Sequence, residues 1–500
     1  MEKKKRNLII GIAAAVVLVI VLCLVCCHRS SDKYCSAIPK DALGICRVDA
    51  ASFIKKHDID LDGLKSLMGG MDGMLDKTGI DLEKPIYLFA ASEGAGLVAK
   101  MKSTEDLKTL VKGLGTMLGA KLSEKQGYNW IEMSDVIVSF DADKLLALSG
   151  AGMNARKKMI ALMEQDEDES VMGTKLFDSV EKIEQPFAIV SNMRTLLSYG
   201  DADAQSYAIA QIANHYNLKP EDVDMNISIT FDVVKDKAIL AFNSDPTTPA
   251  LKEKLDEFGK MIVDNNTGKY INTIASDPLV WGSVHIDGSK WGKMFKEAFD
   301  AQLANMGTNS TEALALRTVM DIMVKVIESF NGDINFTIPS IEGSNVNFMV
   351  QGEVRDKSIL TALDMLKAQS EQAGDDASIM KSGDTYTMAV GESMVFAGIK
   401  NDQLYISNST DLTAKLGKEV DSRIDDLKKD ICNSFFYLTV DAQPLIGLLM
   451  QNSSMKMALA SIIGRLSQLD RLTVRSTSYY SVEVSLSVRD GQDFIETLCK

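Results

Sequence analysis

Few residues in this chain have types and spacing that could do chemistry, and they are scattered. The sharpest pattern is Asp58-Ile59-Asp60-Leu61-Asp62-Gly63. Alternate carboxylates ahead of a glycine match the opening of a calcium loop, whose oxygens at positions one, three and five meet the ion. Position twelve, where a bidentate Glu belongs, is Gly69. Asp58, Asp60 and Asp62 are therefore an incomplete metal candidate, set against a plain turn that caps a helix from Leu64. Gly94-Ala95-Gly96-Leu97-Val98-Ala99 has the spacing of a dinucleotide loop, which needs its glycines to open a helix facing the pyrophosphate. Here the following residues alternate as a strand, so a hairpin turn is expected.

Ser378-x-x-Lys381 and Ser453-x-x-Lys456 share the spacing of penicillin-recognising serine enzymes. Their companion Lys77-Thr78-Gly79 lies upstream of both, where it should follow, so surface serines and lysines explain them. The four histidines, His28, His57, His215 and His285, form no zinc spacing. His285 is expected as a packed strand residue and His215 at a helix end, where a cation is favoured. The acidic run Glu164–Glu169 reads as a solvated loop. Met68, Met71 and Met74 lie in a glycine-rich stretch, and flexible, polarisable methionines suit an apolar ligand. No catalytic residue and no cofactor is implied.

These residues sit on a build whose recurring unit is a strand that ends in Asp or Asn and enters a helix. The copies are Ile45–Phe53, Phe187–Leu196, Val280–Trp291 and Phe435–Leu445. The caps Asp49, Asn192, Asp287 and Asp441 accept from the first free amides of a helix. A large apolar residue follows four positions later (Phe53, Leu196, Trp291, Leu445) and can close a hydrophobic staple with the residue before the cap in three copies (Val48, Ile286, Val440), Ser191 being the exception. Between the copies come hairpins, amphipathic helices and three-strand meanders, and this order runs through the chain twice. The expectation is an internal duplication, an α+β fold of two similar units at 38–268 and 276–500. Each unit has a meandering, mostly antiparallel sheet covered by helices.

The N-terminus is of a different kind. Residues 1–7 are basic, and Leu8–Cys27 is a run of 20 residues without a charge. A helix of that length is about 30 Å long and spans a hydrocarbon core. With Lys3, Lys4, Lys5 and Arg6 held in the cytoplasm, the rest is exported, as a single-pass signal anchor at 8–27 with a tether at 28–37. The alternative anchor is lipidation at Cys23, Cys26 or Cys27. Export permits disulfides, but Cys35, Cys46, Cys432 and Cys499 make no scaffold, and Cys46 alternates like a small core residue.

Composition narrows the partners. The chain has 500 residues, 46% hydrophobic, with a net charge of −15. Residues 1–31 carry +4, which leaves −19 for the remainder. That surface repels phosphate backbones and excludes nucleic acid as a partner class. The expected partners are the membrane, through the N-terminal helix, and an envelope protein or apolar ligand.

The basic start, the apolar run, Ile38-Pro39-x-Asp41-Ala42 and the strand end Val48-Asp49 together resemble an uncharacterised family of Bacteroidetes cell-envelope proteins. That family is a domain of unknown function of about this length, commonly lipoproteins. The resemblance implies an envelope location and no assigned activity. The resulting expectation is a periplasm-facing, non-enzymatic binding or scaffolding protein. A carrier of a lipid or other apolar ligand, and an envelope hydrolase whose site assembles only in the fold, are the alternatives.

Overall fold

The computed structural model describes residues 33–499 apart from 59–77, 92–93, 119, 134, 150–153, 199–201, 274–276, 307–310, 343–344, 373–378, 391–392 and 452–462. The apolar run 8–27 with Cys23, Cys26 and Cys27 lies outside the described residues, as do Asp60, Asp62, Met68, Met71 and Met74. Among the described residues no helix is long and apolar enough to cross a membrane. The fold is α+β, with antiparallel sheet covered by helices. The chain divides into two compact units, Met1–Val233 with Ile239–Lys252, and Val234–Ala238 with Glu253–Lys500.

The first unit holds β1 (Gly44–Val48), β2 (Ile86–Ala91), β3 (Gly94–Lys100), β4 (Lys121–Lys125), β5 (Tyr128–Glu132), β6 (Val136–Phe140), β7 (Lys144–Ser149), β8 (Phe187–Asn192), β9 (Met225–Val234) and β10 (Lys237–Pro246). They pair in the order β10-β9-β8-β1-β2-β3-β7-β6-β5-β4. The second unit holds β11 (Val280–Asp287), β12 (Phe330–Ile338), the small hairpin β13 (Ile341–Glu342) and β14 (Asn345–Val346), β15 (Met349–Val354), β16 (Ile379–Ser382), β17 (Thr385–Val390), β18 (Ser393–Lys400), β19 (Gln403–Ser407), β20 (Phe436–Asp441), β21 (Leu469–Ser478) and β22 (Ser481–Val488). Its order is β22-β21-β20-β11-β12-β15-β19-β18-β17-β16. Read strand by strand, the two orders correspond.

All four expected caps do their work. Asp49 accepts from Ser52 N at 3.0 Å, Asn192 from Arg194 N at 3.0 Å, Asp287 from Ser289 N at 3.1 Å and Asp441 from Gln443 N at 2.9 Å. Each such bond satisfies an orphan helix amide and stabilises the helix start by about 1 kcal/mol. The staple follows the residue before the cap. Phe53, in the copy with Val48 before its cap, is buried, and Leu196, in the copy with Ser191 there, is 51% exposed.

Other elements differ from the expectation. Lys121–Lys125 is a strand, hidden in the sequence because its edge position tolerates Lys-Leu-Ser-Glu-Lys. Lys175–Lys182 is a helix capped by Thr174, whose hydroxyl accepts from Phe177 N at 3.3 Å. Residues 33–37 are not tether. They form a 3-10 turn with Tyr34 to Ala37 buried, and Tyr34 Oη donates to Pro85 O at 2.7 Å.

The covered sheet faces differ sharply between the units. Counting back from Asp49 and Asp287, Ile45 on β1 corresponds to Ser283 on β11. In the first unit the row through Ile45 runs Val190, Ile45, Phe89, Gly96, Leu148. It packs under Tyr34, Ile38, Met159 and Phe177 in an apolar core. Gly96 is required there, since a Cβ would lie 2.2 Å from Phe89 Cζ. In the second unit the row is Tyr437, Ser283, Asn335, Gln351, Tyr405. These residues are all buried, and the segments 264–273 and 423–434 cover part of this face.

Candidate functional site

That polar face carries the richest constellation among the described residues, centred on Asp333. The strand β12 places Asp333 opposite His285 on β11. A register shift between Phe330 and Ile334 interrupts the β12–β15 ladder beside it, and such irregularities re-aim side chains. Gly332 sits there at φ +138, where a Cβ would come within 2.3 Å of the Glu353 carboxylate. Asp333 is fully buried.

The carboxylate is held from several directions. Thr267 N donates to both of its oxygens at 3.0 Å, Thr267 Oγ1 donates at 2.8 Å, Gly268 N at 2.9 Å and Lys269 N at 3.3 Å. His285 Nδ1 meets Oδ1 at 2.9 Å. Gly268, at φ +76, lets consecutive amides converge on one anion. Asn266 pins the same segment, donating to Ser434 O at 2.7 Å and accepting from Ser283 Oγ at 2.7 Å. At its margins Lys269 pairs with Glu353, and Lys290 with Asp264 at 2.9 Å and Asp287 at 3.6 Å.

Burial opposes ionisation of Asp333, yet the bonds from His285, Thr267 and Lys269 outweigh it and hold the carboxyl below its ordinary value. The hydrogen bond to Asp333 raises the His285 imidazole above its ordinary value, against desolvation. Burial pushes the Tyr270 phenol up, with Glu353 and Asp333 adding to the effect. The arrangement resembles half of an acid–base relay, in which a buried carboxylate orients an imidazole. Among the described residues, however, no hydroxyl or thiol is hydrogen-bonded to the other ring nitrogen. The carboxylate serves the segment 267–269 instead.

Of the residues singled out from sequence, His285 stands in this site, on β11 as expected, and the others are elsewhere. Asp58 follows the helix Ala50–Lys56 with φ 46, a helix-terminating conformation. Among the described residues, no group of three or more His, Cys, Asp or Glu is arranged for a metal. Gly94 and Gly96 lie within β3, so the dinucleotide spacing opens a strand. Lys381 pairs with Asp364 at 2.6 Å, and its partner Ser378 lies outside the described residues, as do Ser453 and Lys456. His215 sits in the last turn of the helix Ala202–Tyr216, and Glu167–Glu169 is a short exposed 3-10 turn. Cys46 and Cys432 are free thiols; desolvation pushes Cys46 up to about 11.

Asp333, Thr267 and Lys269 were not visible as a site in the sequence. The available signal was Asp333-x-Asn335-x-Thr337 alternating with Ile334, Phe336 and Ile338, together with the turn-rich run Asp264–Gly268.

Comparison with known proteins adds a family and little else. No curated protein matches the chain. Among solved structures, the chain is similar to crystal form I of TP0453 at 11% identity and a TM-score of 0.26, over 46% of this chain and 88% of that one. For crystal form III of TP0453 the values are 11% and 0.27, over 47% and 87%. The family model described as "Domain of unknown function (DUF4836)" matches residues 76–493, most of the chain, and the chain belongs to that family.

Proposed function

We propose that this chain is a membrane-tethered binding or scaffolding protein of the bacterial cell envelope, with its α+β units outside the cytoplasm and no catalytic role. The observation that carries the non-catalytic reading is the state of Asp333. The buried acid–base pair spends its carboxylate on four donors of the segment 267–269, which is structural work. The location rests on Lys3–Arg6 followed by the uncharged run 8–27.

We also infer that the units arose by internal duplication, supported by ten strands in each that pair in the same order. The carrier reading has its own support in the second unit, where apolar strand residues face outward.

Fractionation tests the tether. The full chain should stay in the membrane pellet through a carbonate wash, and protease added to spheroplasts should digest the region after residue 32. Release of an intact soluble chain would overturn the reading. Palmitate labelling that disappears when Cys23, Cys26 and Cys27 are replaced would move the anchor to lipid.

A further inference from the structure

Two arginines share one face of β21, and only one of them is fully engaged. Arg471 and Arg475 are four residues apart in an unbroken register with β20, so both turn to the covered side of the sheet, with Thr473 between them. Arg475 is saturated. Its Nε and Nη2 donate to the two oxygens of Glu483 at 2.9 and 3.1 Å, and its Nη1 meets Asp430 at 2.7 Å. Arg471 is 3% exposed and uses half of the same fork. Its Nη2 donates to Asp277 Oδ1 at 2.8 Å and to Pro278 O at 3.1 Å. Its Nε and Nη1 are buried and have no hydrogen-bond partner. A buried guanidinium with unmet donors is costly, so this one is built for a fuller set of acceptors than Asp277 supplies.

Asp277 divides its two oxygens between two arginines. Oδ1 serves Arg471, and Oδ2 accepts from Arg423 Nη1 at 3.1 Å. Arg423 Nη2 in turn donates to Asp470. Arg423 and Asp277 are 40% and 43% exposed, so the network opens to solvent at this end while Arg471 lies inside. A flat carboxylate held this way has no oxygen left for Arg471 Nε. A tetrahedral phosphoryl group has three. Two match the Nε and Nη2 fork, as Glu483 matches that of Arg475, and the third meets Arg423 Nη1. Asp277 has solvent beside it into which it can swing. The groups then left to act on Asp470 and its surroundings are Arg423, Arg471 and Arg489 against Asp470 and Asp441, a balance that favours one anion.

We propose that Arg471 and Arg423 form a binding site for a single phosphoryl group, with Asp277 as its displaceable internal occupant. The site lies wholly within the second unit. It goes beyond the tethered-binding reading above and does not depend on the tether.

The test uses the full chain in a maltoside detergent free of phosphate. Isothermal calorimetry follows titration with inorganic phosphate and, separately, with dihexanoyl phosphatidic acid, which presents the same group as a lipid headgroup. Asp277→Ala removes the internal occupant and should tighten binding about tenfold. Arg423→Gln should weaken it about tenfold, the worth of one hydrogen bond to a charged group. If Asp277→Ala misfolds by circular dichroism, Asp277→Asn serves, with a smaller gain. Inorganic phosphate binding with this pattern supports a site for the free anion. Binding of the phosphatidic acid alone, with the same pattern, supports a headgroup site. Absence of binding by both ligands to the native chain and to Asp277→Ala would overturn the proposal, as would binding that ignores both substitutions. The carbonate wash tests the tether separately, and neither result changes the other.

Discussion

Asp333→Asn is the substitution that most directly tests the account of the polar face. The new side chain keeps the shape and one acceptor oxygen but loses the charge and turns an amino group toward donors. Thr267 can rotate its hydroxyl away, but the amides of Gly268 and Lys269, now 2.9 and 3.3 Å from Oδ2, cannot. A buried donor left without a partner costs about 1–3 kcal/mol. His285 also loses its counter-charge, and breaking a buried pair by removing one partner costs about 3–5 kcal/mol in total. The expected loss is therefore about 3–5 kcal/mol, confined to the second unit. Native-state hydrogen exchange on peptides covering 280–287 and 330–338 reads it locally, with β1 and β2 as an internal reference.

The same variant should change the pH profile. Asp333 has a lowered folded value, so its contribution is complete above the unfolded value of about 3.9 and is lost as pH falls through the lower folded value. His285 has a raised folded value, so its contribution is complete below about 6.5 and is lost as pH rises through the folded value. Protection in the second unit should therefore form a plateau between about pH 4 and 6.5, and Asp333→Asn should flatten both shoulders. A loss under about 1 kcal/mol, or an acid shoulder that survives the substitution, would refute the reasoning.

Three further outcomes follow from the packing. Gly96→Val places a branched side chain against the Phe89 ring and Leu148, and should lower the stability of the first unit by about 1–3 kcal/mol in urea unfolding. Arg47→Met leaves the carbonyls of Ile183 and Gln185, now 2.7 and 2.8 Å from the guanidinium, without their donor; about 2–4 kcal/mol should be lost, and Arg47→Lys should recover only part of it. The Cys46 thiol, pushed up to about 11, should resist iodoacetamide at pH 8 in the native protein and react at the ordinary rate in guanidinium. Fast alkylation of native Cys46 would count against its placement on β1.

The strands and their capped helices were legible because both signals are local. Alternation over five or six residues marks β1, β8 and β20, and an Asp or Asn at the strand end marks the helix that follows. The site was not legible, because it is assembled over distance. Thr267 and Asp333 are 66 residues apart, and only the pairing of β11 with β12 brings His285 to Asp333. The alternation in β12 shows that Asp333, Asn335 and Thr337 share one face. Period two does not say which face the rest of the chain covers, and here the polar one is covered. Lys121–Lys125 was missed for the converse reason: an edge strand gains little from apolar residues and looks like a loop.

The turn at 33–37 gives the first unit a mechanical property. Tyr34, Cys35 and Ile38 are wholly inside its core, next to Phe89 and Leu146, so the chain enters the body with no slack. Tension on the N-terminus would pass straight into the packed interior, and yielding would require Tyr34 to be drawn out past Pro85. A pull on the N-terminal side would therefore meet its first resistance at this turn.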